Sequence, residues 1–222
     1  MLPFVSRGLA ALTLLSLTAL TSTAHADPLA AEAPDPPAPK KPIFVDVAAG
    51  AGWVSSSNAS FGGGPTMGAT LLFRYSMIEA GATADVATQI LSPTSRVDVG
   101  GLVGIGSQEW SFIGGDLLLE GGVRRYDDVG GCSFLCNYPG VSGSVPYVGL
   151  RAGVTLHPIH TPSTVFVGGL WFFVSRDLAS ESQTFALAGQ GLLGPESGTQ
   201  GAVIGGATEL GVNLRLGWDT RF

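Results

Sequence analysis

Three kinds of residue in this sequence carry chemistry: carboxylates and arginines in alternating runs, one C-x3-C pair and one His-x-x-His pair. The acids are Asp46, Glu79, Asp85, Asp98, Asp116, Glu120, Glu209 and Asp219; the cations are Arg74, Arg96, Arg124, Arg151, Arg215 and Arg221. In the stretch 207–222, ATELGVNLRLGWDTRF, Glu209, Arg215, Asp219 and Arg221 belong to one alternate set. The other set is Leu210, Val212, Leu214, Leu216, Trp218 and Phe222, with Thr220 as the exception. A period of two marks a β-strand with unlike faces. Charges gathered on one face in a confined space need partners, because burying one alone is costly. Arginine suits mutual pairing better than lysine, since its planar fork bridges two carboxylates. Both lysines, Lys40 and Lys41, lie before the first such run. The predicted chemistry is internal ion pairing, with a proton or ion path as the competing reading.

Cys132 and Cys136, in GGCSFLCNYPG, are the only cysteines. In an exported protein this spacing predicts a local disulfide. No further Cys or nearby His completes a zinc site. His157 and His160 flank a Pro-bounded turn with no acid close in sequence, so a coincidental pair is the better reading than metal ligation. A surface enzyme would need an outer-side group other than His, from Asp127, Asp128, Ser133, Asp177 or Glu181. No catalytic, cofactor-binding or metal-binding set is predicted. Gly100-Gly101 and Gly205-Gly206 lie in strand context and not at a strand-to-helix turn, so they are not phosphate loops. Asn58-Ala59-Ser60 matches a glycosylation pattern, and Arg125 could meet phosphates at a membrane rim or simply snorkel there.

Eight strand-like runs position these residues: 43–53, 66–75, 77–87, 96–107, 111–126, 145–157, 164–175 and the closing run at 207–222. The first sets Val45, Val47, Ala49, Ala51 and Trp53 against Asp46, Ala48, Gly50 and Gly52. The sixth sets Val148, Leu150, Ala152, Val154 and Leu156 against Tyr147, Gly149, Arg151, Gly153 and Thr155. The seventh contains VFVGGLWFFV, so apolar that its facing is ambiguous. Each run reaches the roughly 9–11 residues that a tilted strand needs to cross hydrocarbon. Connections alternate between long and short, with 176–201 the longest; within it 183–193 is expected as extra strand at the rim or as a short helix. Trp53, Tyr75, Trp110, Tyr126, Trp218 and Phe222 fall near run ends, as interface aromatics do.

Composition agrees with a wall that faces lipid. The chain is 45% hydrophobic but only 13% charged, with 33 glycines, and a soluble domain carries about twice that charge. No run after the start is long and apolar enough for a membrane helix. Residues 1–26 read as a signal peptide: Arg7, an uncharged Leu/Ala-rich run, then Ala24-His25-Ala26 before Asp27. Residues 27–42, DPLAAEAPDPPAPKKP, hold six of the fourteen prolines and read as an extended periplasmic arm. Residues 43–222 form the barrel. The net charge of −6 disfavours nucleic acid.

The alternation, the loop pattern and the terminal Phe222 together resemble the small bacterial outer-membrane β-barrels of the OmpA/OmpX type. The resemblance covers about residues 43–222. It implies an all-β, antiparallel, up-and-down transmembrane barrel of about eight strands with both termini in the periplasm. It implies that Trp218 and Phe222 form an assembly signal read by the barrel-assembly machinery. The other implied partners are outer-membrane lipid, lipopolysaccharide and a ligand at the extracellular loops, for a monomer without cofactors. The expected role is structural or surface-interacting around an ion-paired, plugged lumen. A narrow channel and an outer-leaflet lipid-modifying enzyme are the rivals. Eight-stranded relatives with lipid-modifying activity use an outer-side His, and this chain has none there.

Overall fold

The computed structural model describes residues 43–58, 61–90, 93–107, 112–130, 140–160, 164–191 and 194–221, with backbone alone for 158–160, 164–165, 185–191, 194–200 and 221. These residues fall in one compact unit, Lys40–Phe222. The signal segment, the proline-rich arm, Trp110, Cys132, Cys136 and Phe222 lie outside the described residues, as does the side chain of Arg221.

Among the described residues ten strands form in chain order. They are β1 (Ile43–Ser56), β2 (Gly63–Tyr75), β3 (Ile78–Thr88), β4 (Ser95–Gly106), β5 (Ile113–Val129), β6 (Val141–His160), β7 (Thr164–Asp177), β8 (Ser180–Gly191), β9 (Gly194–Gly205) and β10 (Thr208–Arg221). Eight of them close an antiparallel barrel in the order β1-β10-β7-β6-β5-β4-β3-β2. Strand neighbours in sequence are neighbours in the wall, so this is an up-and-down barrel. It closes where β1 meets β10, in a register running from Phe44 opposite Arg221 to Ser56 opposite Glu209. Full closure leaves the wall no unpaired edge, so every wall strand has a backbone partner on both sides.

The remaining pair, β8 and β9, forms a separate two-stranded ribbon from Ser180 opposite Gly205 to Gly191 opposite Gly194. This corrects the long loop expected over 176–201, and of the expected extra strand or helix at 183–193 the described part, 183–191, is strand. It adds nothing to the wall, because β7 already pairs β10 up to Arg176 opposite Thr208. At the ribbon's end Gly205 and Gly206 take φ of 78° and 72°. That left-handed backbone favours glycine and turns the chain from β9 into β10. The Gly205-Gly206 pair is thus a corner.

The connections sort by end. β2 runs into β3, β4 into β5 and β6 into β7 at the end where β1 begins and β10 finishes, here the terminus end. β1 runs into β2, β3 into β4, β5 into β6 and β7 into the ribbon at the opposite, loop end. The 76–77 turn is the tightest, and Ser76 sits in it with a φ of 57°.

The wall is inverted relative to a soluble barrel. Outward positions such as Phe73, Leu119 and Leu214 are 52%, 61% and 56% exposed, whereas Arg96, Arg124 and Glu209 are buried. The ambiguity of β7 is resolved by its register: Leu170, Phe172 and Val174 face out, and Trp171, Phe173, Ser175 and Asp177 face in. One expected interface aromatic is corrected. Tyr126 is fully buried inside, because β5 continues past it to Val129 through a bulge between Tyr126 and Val129. Trp53, Tyr75 and Trp218 do face out, and Trp218 packs edge-on against its cross-strand neighbour Phe166 at 5.7 Å.

Two inward glycines exist to admit rings. A Cβ on Gly153 would overlap the five-membered ring of Trp171, and one on Gly211 would overlap the ring of Phe173. Gly153→Ala should therefore destabilise the barrel by about 1–3 kcal/mol through overpacking. Urea unfolding in detergent micelles checks it: an unchanged midpoint would mean the indole can swing away freely.

Candidate functional site

Nine carboxylates and five arginines are buried among the described residues, and they separate into three clusters along the bore. Arg124 on β5 is the hub of the upper one. Its Nε and Nη2 donate to the two oxygens of Asp98 at 2.9 and 3.0 Å. Its Nη1 donates to Asp177 at 2.9 Å and lies 3.1 Å from Glu209. Its Nη2 also reaches Ser175 at 2.8 Å, and its guanidinium lies 4.6 Å from the centre of the Tyr147 ring. Arg96 pairs with Glu209 and reaches Asp98 at 3.0 Å. The Tyr126 hydroxyl donates to Asp177 at 2.9 Å. Five strands thus converge on this cluster, so each ion pair fastens one part of the wall to another.

Arg151 on β6 holds the middle cluster. Its fork takes both oxygens of Glu120, at 2.5 and 2.9 Å, and pairs with Asp85. Glu120 accepts a further bond from the Tyr147 hydroxyl at 2.6 Å, and Asp85 one from Thr83 at 3.1 Å. The lower cluster joins Arg215 with Asp46, and Arg74 with Glu79. Asp116 lies between the two cations, 3.4 Å from Arg74 and 3.9 Å from Arg215. Asp219 stands 3.7 Å from Arg74.

Trp171 separates the middle and lower sets. The Arg215 guanidinium lies 4.0 Å from its ring centre and that of Arg151 lies 5.8 Å away, a geometry that attracts cations to the aromatic face. The indole also packs with Leu72, Leu102 and Leu118 in an apolar layer within the bore. Over the upper cluster sits a second apolar group: Val54, Phe61, Ala87, Tyr126, Val129, Val145, Phe173, Ala202 and Ile204. Ala202 and Ile204 come from the base of the ribbon, so β9 helps to cover the mouth at the loop end. Asn58 latches that cover by donating to the carbonyls of Val203 and Gly205 at 3.1 and 3.2 Å. Its amide is therefore engaged inside the protein, which argues against the sugar-acceptor reading of 58–60.

The sequence placed Asp46, Arg74, Glu79, Asp85, Arg96, Asp98, Asp116, Glu120, Arg124, Arg151, Glu209, Arg215 and Asp219 on inward faces, and all are buried here. Asp177 was expected in the outer loop as a surface group. It is buried instead, bonded to Arg124, Tyr126 and the Ala207 backbone. The parity of Trp171, Phe173 and Ser175 would have assigned it inward had the facing of β7 been known. His157 is buried near the terminus end, and its backbone donates to Phe112. Among the described residues no group of three His, Cys, Asp or Glu side chains converges to hold a metal. Arg125 faces outward in a local pair with Asp127 at 3.0 Å.

No family model matches the chain, and no curated protein matches it in sequence. Among solved structures it is similar to a crystal structure of Neisserial surface protein A. The two share 13% sequence identity and a TM-score of 0.48, over 81% of this chain and 97% of that one.

The two adjacent arginines of β5 should behave differently when truncated. Arg124→Met leaves Asp98, Asp177 and Glu209 short of a buried partner and should cost about 3–5 kcal/mol. Arg125→Ala removes an exposed pair and should cost under about 1 kcal/mol. Equal losses on unfolding in micelles would contradict this picture of the bore.

Proposed function

We propose that the chain is a bacterial outer-membrane barrel with a plugged lumen, in which the loop end is the surface that meets partners. The inversion of polarity supports this most. Val47, Phe73, Val103, Leu119, Leu150 and Leu214 are exposed on the wall, while Arg74, Arg96, Arg124, Arg151, Arg215 and the carboxylates they pair with turn inward. In water such a continuous apolar wall would far exceed the few hundred Å² that a soluble monomer exposes. In hydrocarbon it is the expected outer face, and a closed barrel is one of two structures that satisfy every backbone group there.

The wall strands are 11 to 20 residues long, enough to span the layer with margin at the rims. On this reading the loop end is extracellular and the terminus end periplasmic. The segment 1–26 directs export, 27–42 is a periplasmic arm, and Trp218 with Phe222 is the assembly signal. Cys132 and Cys136 form a staple in the extracellular loop.

The filled bore favours a structural or surface-interacting role over conduction. Ion-paired side chains, an indole layer and an apolar cover follow one another along it. In an eight-stranded barrel such side chains are just enough to fill the interior. Variation then belongs to the loops, and the ribbon β8–β9 is the largest feature at that end. Its ligand would be met outside the cell, and the barrel acts as a monomer in lipid and lipopolysaccharide.

Envelope fractionation with boiled and unboiled gel samples tests the location. Recovery in the outer membrane with a mobility shift on boiling is expected, and recovery as a soluble periplasmic protein would overturn it. Leu214→Arg gives an energetic check, because Leu214 is exposed. In water the change should be worth under about 0.5 kcal/mol, whereas at the bilayer midplane it should cost about 2–4 kcal/mol. In planar bilayers the purified protein should show no discrete conductance steps; regular steps would move the reading to a narrow channel.

A further inference from the structure

The ribbon β8–β9 presents two backbone edges, and they are not alike. Residues of an antiparallel pair alternate between bonding each other and turning their N–H and C=O groups outward. Asn58 donates to the carbonyls of Val203 and Gly205, so this alternate set of β9 is the one that faces away from β8. Gly201 and Pro195 belong to the same set. Through the register, Ser182 opposite Val203, Thr184 opposite Gly201 and Gln190 opposite Pro195 turn their groups outward along β8.

The edge of β9 is blunted at both ends. The Asn58 amide occupies it at the base. Near the tip Pro195, which has no N–H, interrupts it. β8 has no such protection: its sequence, SESQTFALAGQG, holds neither proline nor lysine, the residues that commonly guard an exposed edge. Among the described residues, no backbone hydrogen bond reaches the outward groups of Ser182, Thr184 or Gln190.

Two further observations say what suits that edge. A two-stranded ribbon is marginal in water by itself, and a third strand is what makes such a sheet stable. The ribbon is also one-sided in charge, with Glu181 and Glu196 and no Lys, Arg or His. Glu181 is exposed and precedes the first outward residue of β8.

We propose that the outward edge of β8, from Ser182 to Gln190, docks an extended basic segment of another protein, which joins the ribbon as its third strand. Backbone groups supply the hold in this mode of recognition, so many sequences fit, and the acids select for positive charge. A second copy of the chain suits the edge less well, because it brings two more acids and no counter-charge. The placement of the edge outside the cell rests on the membrane reading above. On that reading two copies side by side in one bilayer would present their β8 edges as parallel strands, the weaker pairing.

The test uses the full refolded protein in uncharged micelles and a labelled octapeptide of alternating Lys and Thr. Fluorescence anisotropy reads its affinity, and hydrogen exchange reads which amides of the ribbon become protected. Saturable binding with protection in 180–191 is expected. The same peptide with alternate amides N-methylated keeps its charge but loses edge bonds, and should bind about tenfold more weakly or worse. A Glu-for-Lys peptide should not bind. Thr184→Pro removes one outward N–H of β8 and should weaken binding about tenfold, whereas Gly201→Pro, its counterpart on the β9 edge, should leave binding unchanged. Glu181→Gln should weaken it about threefold and flatten its dependence on salt. Equal affinity for the N-methylated peptide would overturn the proposal, and that comparison stands even if Thr184→Pro fails to refold. So would sensitivity to Gly201→Pro alone, or protection of 180–191 that rises with protein concentration without peptide, which would put a second copy there. The micelle assay is independent of location: soluble recovery on fractionation would sink the membrane reading and leave this result standing, while outer-membrane recovery without peptide binding would sink the docking edge alone.

Discussion

The cost of holding charge away from water governs this structure. Eight strands enclose a bore that side chains fill, so the carboxylates and guanidiniums inside have little but one another for solvent. Each guanidinium consequently serves several acids drawn from different strands. Arg124 binds Asp98 on β4, Asp177 on β7 and Glu209 on β10. A lysine could not replace it, because a single ammonium cannot present paired donors to one carboxylate while reaching two more. The same requirement places rings against the cations and glycines against the rings. Trp171 lies between Arg151 and Arg215, and Gly153 yields the space that the indole occupies.

The apolar wall is the complement of that constraint. Alternation along a strand means that every inward charge has outward neighbours, and for Asp46, Arg74, Glu79, Asp85, Asp98, Arg151 and Arg215 both of those neighbours are aliphatic or aromatic. The wall and the bore are therefore one pattern read on two faces. A solvent that accepts the wall is also the one that makes the bore's pairing obligatory, since it leaves no route by which water could solvate a separated pair from outside.

Much of this is written in the sequence, and the parts that are not have identifiable causes. Glu209, Arg215 and Asp219 alternate with Leu210, Leu214 and Trp218, so β10 was legible in both location and facing. The same holds for β1 to β4 and for Arg151 on β6. β7 was not legible, because in VFVGGLWFFV both faces are apolar: one is the exposed outer face of the wall and the other meets the indole layer and the cover. Losing that facing hid Asp177. Tyr126 was misplaced for a related reason, since a tyrosine near a strand end suits an interface equally well, and only the continuation of β5 to Val129 shows it inside. The ribbon was legible only as the alternative of extra strand or short helix over 183–193, because its residues lack strong alternation; it is held by pairing to itself and by Ala202 and Ile204 at its base. The contacts of Asn58 with Val203 and Gly205 span about 145 positions, which no local spacing reveals.

The closing seam sets the order of events in assembly. Asp46 and Arg215 pair across β1 and β10 although 169 positions separate them. Contacts so distant in sequence form late, because the intervening chain loses entropy before they reward it. Until that moment the two strands each expose a free backbone edge and one unmatched charge to whatever surrounds them. An incompletely closed barrel is thereby kept hydrated on its inner side, and sheds that water only in the act of closing. Strand pairing, charge neutralisation and loss of water are in this sense a single transition, timed by the last strand to arrive.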